Sequence, residues 1–226
     1  LPTRTIYTFE GQGVQLVMTF MTAALPESID LLSRPVTYLT YECHSTDGKN
    51  HTIETYFDAG SELVVNTPDQ EVTWSAEKVK GLAALKTGSK DQPILARKGD
   101  DVRIDWGYLY VAATTAQKTE AVQAEAAPVR AAFVANGNLS NVASLTGASR
   151  PALSGPVSAL SFQFGKVGAK PVSHWLMLAY DDLYSIQYMK KNLRPYWRRN
   201  GWQAADLLMA SARDYESLQK RCADFD

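Results

Sequence analysis

The chain is poor in the residues that most catalytic and metal sites are built from. It has 2 cysteines, Cys43 and Cys222, and 3 histidines, His44, His51 and His174, in 226 residues. No Cys-x-x-Cys and no His-x-x-x-His occurs, so the spacing of a structural or catalytic zinc site is absent. Two cysteines 179 positions apart read as free thiols rather than a disulfide framework. There is no Gly-x-Ser-x-Gly nucleophile turn, and Gly11-Gln12-Gly13 is too short for a phosphate-binding loop. The formal net charge of -1 lacks the global basic excess of a nucleic-acid binder. No apolar run reaches the ~20 residues a membrane-spanning helix needs. Leu16 to Leu25 comes nearest and is broken by Thr19 and Thr22. No internal repeat is present, and no cofactor is expected.

What is present is alternation. Thr3 to Phe9 and Val14 to Met21 alternate across a Gly-rich turn and read as an antiparallel hairpin. Val36 to Cys43 and His51 to Asp58, joined through Asp47-Gly48, read as a second hairpin. Val157 to Phe164 and Val172 to Tyr180 read as a third. Shorter strands are expected at Leu63 to Val65, Val72 to Trp74, Leu82 to Leu85, Val102 to Trp106 and Tyr108 to Ala112. Ala112 to Ala127 reads as a loop with some helical character and as the stretch most expected to be disordered, Pro128 to Ala135 as a short helix and Asn136 to Pro156 as a long surface loop. No helix-length segment separates the strands, which excludes a βαβ pattern. The expected fold is mainly β, an antiparallel β-sandwich with minor short helices.

From Trp202 onward the period changes. Ala204, Leu207, Leu208, Ser211, Tyr215, Leu218 and Cys222 recur at steps of mostly three and four, with Asp206, Arg213, Glu216 and Lys220 opposite. That is an amphipathic helix with one apolar stripe. The expected organisation is a β-sandwich over 1–200 and a C-terminal helix over 201–226 that leads to a downstream helical domain. The opening Leu1-Pro2-Thr3-Arg4 carries no basic-then-apolar leader, and the chain is expected to be a segment of a longer protein.

The join between the two patterns, Asp181 to Trp202, holds five basic residues and five large aromatic ones. Arg, Trp and Tyr dominate interface hot spots, so Asp181, Asp182, Tyr184, Arg194, Tyr196, Trp197 and Arg198 are candidates for a domain interface or a ligand wall. Basic and aromatic residues also interleave in single-strand binders, but the near-neutral chain favours the interface. Pro195 stops a central strand from continuing, Gly201 frees the chain to turn, and the helix is expected from about Gln203. Arginines of the join are expected to pair with Asp181 or Asp182, and Trp197 either faces the next domain or plugs this domain's own core. Asp105-Trp106-Gly107-Tyr108 sets a carboxylate beside Trp106 and Tyr108, a grouping used on sugar-binding surfaces and, more often, in cores. Asp100-Asp101 and Asp181-Asp182 are paired acids, read as turn carboxylates rather than catalytic dyads.

Several segments in order, among them Leu31-Leu32-Ser33-Arg34-Pro35-Val36, Tyr56-Phe57-Asp58-Ala59, Asn66-Thr67-Pro68-Asp69-Gln70, Asp105-Trp106-Gly107-Tyr108, Tyr180-Asp181-Asp182-Leu183-Tyr184 and Leu193-Arg194-Pro195-Tyr196-Trp197-Arg198, are similar to the N-terminal domain of the glutaminase A family. The resemblance spans nearly the whole chain except Ala116 to Pro156. It implies a secreted or periplasmic multidomain hydrolase acting on glutamine, with a β-rich N-terminal domain before a helical-hairpin barrel that holds the chemistry. No catalytic residue is carried over onto this chain. The implied role is a non-catalytic module that packs on, and in part walls, the downstream barrel, with any small-molecule or peptide substrate belonging to the full-length protein. The alternative is an independent carbohydrate- or peptide-binding module. An enzyme in its own right is the weakest reading, since no nucleophile, metal or acid–base set is visible.

Overall fold

Positions 12 and 13 set the first pairing. Gln12 and Gly13 both take positive φ, the geometry of a two-residue hairpin turn. Arg4–Gly11 (β1) therefore folds back on Val14–Thr22 (β2), from Arg4 opposite Met21 to Gly11 opposite Val14. A computed structural model describes all residues, 1–226. Val36–Ser45 (β3) extends this sheet. Glu71–Val79 (β5) and Leu82–Ser89 (β6) form a second true hairpin, turning through Lys80-Gly81. Tyr108–Thr114 (β7) lies between β6 and Val172–Asp181 (β11), and β11 pairs with β3. Arg150–Pro151 (β9) adds a short edge to β5, which completes an eight-stranded sheet in the order β1-β2-β3-β11-β7-β6-β5-β9. A smaller sheet holds His51–Gly60 (β4), Val157–Val167 (β10) and Thr119–Ala124 (β8), in the order β4-β10-β8.

Two expected hairpins do not form. β3 and β4 sit in different sheets, and so do β10 and β11. In each case the connecting turn carries the chain from one sheet over to the other. Alternation fixes which residues face inward; it does not fix which strand is the neighbour. Leu39, Tyr41 and Cys43 of β3 and Ala59 of β4 meet face to face in the core between the sheets, beside Leu160 and Phe162 of β10 and Leu176 of β11. A β-sandwich buries these inner faces against each other.

Three other expectations are corrected. Leu63 to Val65 is a 3-10 turn, Ser61–Val64, rather than a strand, and it still buries Val64 and Val65. Val102 to Trp106 is irregular, with Val102 exposed and only Asp105 fully buried. The segment 112–127 is not a loop but contains the end of β7, all of β8 and the start of Ala126–Asn136 (α2). Three of its alanines are core residues: Ala112 and Ala113 are fully buried where β7 is covered on both faces, and Ala124 is buried at the end of β8. Helix α2 matches the expected Pro128 to Ala135 segment, with Pro128 in the first turn, where a missing N–H breaks no helical bond.

The C-terminal helix, Ala204–Phe225 (α3), lies on the outer face of the large sheet. All seven residues of its expected stripe are buried, with Ala210 in addition. Leu207, Leu208, Tyr215, Leu218 and Cys222 pack against Val36, Tyr38, Tyr110, Met177 and Ala179. The layers run α3, large sheet, small sheet, α2, with one apolar core between each pair. Because β7 is sandwiched by α3 and the small sheet, Tyr110 and Ala112 serve one core while Leu109, Val111 and Ala113 serve the other. The fold is thus mainly antiparallel β with a long C-terminal helix and short helices, including Ile29–Leu32 (α1). Cys43 and Cys222 are both free thiols, buried in different cores. No helix is long and apolar enough to cross a membrane.

Candidate functional site

The join is built on Gly107. Its φ of +83° suits glycine alone, and a Cβ there would lie 2.3 Å from the Asp181 carbonyl oxygen. The Gln92 side-chain amide clamps this backbone, accepting from Gly107 N at 2.6 Å and donating to Gly107 O at 3.0 Å. Asp181, the last residue of β11, is thereby fixed below the surface. Its carboxylate meets Arg198 in a two-pronged pair, with Arg198 Nε donating to Oδ1 at 3.1 Å and Nη2 donating to Oδ2. Both side chains are only 3% exposed. Arg198 Nη1 also donates to the Trp202 carbonyl at 3.2 Å and to Gln203 Oε1 at 2.7 Å. One guanidinium thus ties the end of β11 to the residue that caps α3. Gln203 and Asp206 close that cap reciprocally, with Gln203 N donating to Asp206 at 2.9 Å. Gly201, at φ +82°, makes the turn before it.

The expected pairing of a join arginine with Asp181 is therefore present. Of the two readings of Trp197, the core plug is the one present, and Arg198 is turned inward with it rather than presented outward. Trp197 is 3% exposed and belongs to the core under α3. Both residues fall in a 3-10 turn, Tyr196–Arg198, which rotates them inward while Tyr196 stays outside. An arginine is rarely buried without a partner, and Asp181 supplies the one that allows it.

Between Asp181 and that turn, the chain leaves the sandwich. Ile186–Tyr188 (β12) and Lys191–Leu193 (β13) form a separate two-stranded hairpin, an element the sequence pattern does not announce. Its turn is Met189-Lys190, both at positive φ, where Asn-Gly is the usual choice. Its apolar side chains face outward: Ile186, Tyr188, Met189 and Leu193 are 58%, 61%, 78% and 45% exposed, and Tyr196 beside them 43%. Four cations of the same stretch, Lys190, Lys191, Arg194 and Arg199, are also exposed, and Lys191 lies directly across from Tyr188. Arg194 lies over the Tyr184 ring at 5.4 Å and Arg199 over Tyr196 at 4.1 Å.

Trp106 braces the hairpin's base. Its Nε1 donates to the Tyr184 carbonyl at 3.1 Å, and its own carbonyl accepts from the Tyr180 hydroxyl at 2.8 Å. Asp182, half-buried beside it, has its carboxyl pushed up by burial. Tyr108 is held between the Lys86 ammonium, 4.1 Å from its ring centre, and Gly88, where a Cβ would come within 2.4 Å of the ring. Asp105 is buried and accepts from Gln70 Nε2 at 3.0 Å. The carboxylate and its two neighbouring aromatics are thus committed to internal contacts and do not form one open platform. Of the histidines, His51 meets Asp47 at 2.9 Å across its turn, and His174 stacks on Phe162.

One concavity near the join escaped sequence reasoning. Asp30, Arg34, Trp197, Arg199, Asn200, Trp202 and Arg213 line a cavity of about 220 Å³. Arg34 and Arg213 come from distant segments, and no spacing rule links them to the join.

A search of curated proteins finds no match. Among solved structures, the chain is similar to one titled "Putative kojibiose phosphorylase from human microbiome", at 8% identity and a TM-score of 0.46, over 98% of this chain and 22% of that one. A second, the heparan sulfate lyase HepC mutant from Pedobacter heparinus, is similar at 7% identity and a TM-score of 0.29, over 78% of this chain and 21% of that one. The chain spans about a fifth of the length of each. The model of one family, described as a domain of unknown function, matches residues 3–226, and the chain belongs to that family, DUF5127.

Proposed function

We propose that this chain is a non-catalytic β-domain of a longer, exported hydrolase and that it packs on a helical catalytic domain through the 186–196 surface. The observation that carries the reading is the projecting hairpin. A two-stranded hairpin is marginal in water on its own. This one also holds Met189 and Lys190 in a left-handed conformation that disfavours non-glycine residues by roughly 1–2 kcal/mol each. It nonetheless directs four apolar side chains at solvent. Exposed apolar side chains, with Ile186 paired across the strands to Leu193, and exposed cations beside them in the chain have the composition of an interface. The resemblance to the glutaminase A family supplies the class of partner, a helical barrel of the same polypeptide, and the class of chemistry, hydrolysis of an amide. The inward turn of Trp197 and Arg198 fits this arrangement as an anchor: it fixes the hairpin's two ends rigidly to the sandwich.

The test compares Tyr188→Ser/Met189→Ser in the chain alone and in the full-length protein. The chain alone should keep its unfolding midpoint, since neither side chain is in a core. The full-length protein should lose stability and show the two domains melting separately. Equal midpoints for variant and parent in both contexts would refute the docking role.

A further inference from the structure

We infer that the cavity between α1, the 196–200 turn and α3 binds the carboxylate of a small organic acid, with Arg34 as its forked donor. The inference is independent of the docking surface and rests on unused donors. Arg34 is only 12% exposed, yet of its five N–H groups only one, on Nη1, has a protein acceptor: Asp214 Oδ2 at 2.9 Å. Its guanidinium is held in place from two sides, by that ion pair and by the Trp202 ring, whose centre lies 5.6 Å away. A fixed, largely desolvated fork with free donors is the arrangement that takes a carboxylate two-handed. Trp197 lines the same cavity, and its indole N–H is buried with no acceptor. Such groups are rare in folded proteins and call for a partner.

The charge around the cavity sets the class of ligand. Three guanidiniums, Arg34, Arg199 and Arg213, stand against two carboxylates, Asp30 and Asp214. Asp214 is shared by Arg34 and Arg213, and Arg199 pairs with Asp30. The surplus is one positive charge, which suits a monoanion. Asp30 in the lining, and Asp214 behind Arg34 and Arg213, would repel a doubly charged phosphate. The two indoles offer apolar walls for the body of the acid, and Asn200 offers an amide. At about 220 Å³ the space lies below the ~300–1,000 Å³ of drug-sized sites, so the ligand is small.

The probe is butyrate, with its neutral isostere butyramide as the control, both in buffer brought to equal ionic strength with sodium chloride. The readout is the set of tryptophan indole N–H resonances of the isotope-labelled chain. Butyrate should shift the Trp197 and Trp202 signals saturably, and butyramide should leave them in place. Arg34→Lys keeps the charge and removes the fork, and should weaken binding about tenfold, the equivalent of one lost charge-assisted bond. Arg213, 73% exposed, can be changed without disturbing a core. Arg213→Gln should remain folded and bind several-fold more weakly through loss of the surplus charge. The inference is overturned if butyrate gives no saturable shift, if butyramide acts equally, or if Arg213→Gln binds like the parent.

Discussion

Replacing Arg198 by alanine leaves the Asp181 carboxylate buried opposite an empty space. The parent pair is 3% exposed on both sides, and the guanidinium makes four hydrogen bonds, to both oxygens of Asp181, the Trp202 carbonyl and Gln203 Oε1. Removing one partner of a buried pair costs about 3–5 kcal/mol, because the remaining charge has neither water nor counter-ion. For a chain of this length each kcal/mol moves the melting temperature by roughly 2–4 °C, so Arg198→Ala should melt about 6–20 °C below the parent. The assay is urea unfolding followed by tryptophan fluorescence, with calorimetry alongside. The double variant Arg198→Met/Asp181→Asn removes both charges, while the introduced amide oxygen can still accept the Leu183 N–H that Asp181 Oδ1 now accepts at 3.1 Å. It should cost less than the sum of its single changes by about 1–3 kcal/mol, the usual coupling of residues in one network. Strictly additive costs, or an Arg198→Ala effect under about 1 kcal/mol, would refute the view that this pair fastens the join.

Trp197→Ala in the chain alone should cost about 3–5 kcal/mol in urea, as for other buried tryptophans, whereas a residue serving only an interface would leave the midpoint unmoved. Gly107→Ala should cost at least ~1–3 kcal/mol for the left-handed backbone alone, with the clash on Asp181 O added, measurable in the same assay. His174 carries a pH dependence: it is packed between Phe162 and Phe164 with no acceptor or donor on Nδ1, and burial lowers its pKa. The unfolded chain takes up a proton there from about pH 6.5, while the folded chain resists until a lower pH. Stability should therefore be full above pH 6.5 and fall as the pH drops toward the lowered folded value, and His174→Gln should flatten that part of the profile in melts between pH 7 and pH 5.

The helix was the most legible element. Its stripe from Ala204 to Cys222 follows one period against one flat partner, so sequence spacing maps directly onto burial. The β1–β2 hairpin was legible because Gly13 lies at its turn. Partner choice among the other strands was not, since β3 and β10 are covered on both faces and their residues satisfy more than one pairing. The β12–β13 hairpin was hidden because Met189-Lys190 is an unusual pair for its turn. At the site, the charge pairing of Asp181 could be anticipated, but the depth of Arg198 could not. Burial there depends on the 3-10 turn after Pro195, and that turn decides whether Tyr196 or Trp197 faces solvent. The Arg34 cavity was invisible because its walls come from α1, the join and α3, which only tertiary packing brings together.

The docking account is tested most directly by hydrogen exchange at residues 186–193, measured in the chain alone and in the full-length protein. A hairpin that waits for a partner should exchange rapidly in the isolated chain and become protected by at least an order of magnitude in the full-length protein. Equal, fast exchange in both would show that the hairpin stays in solvent and would contradict the account.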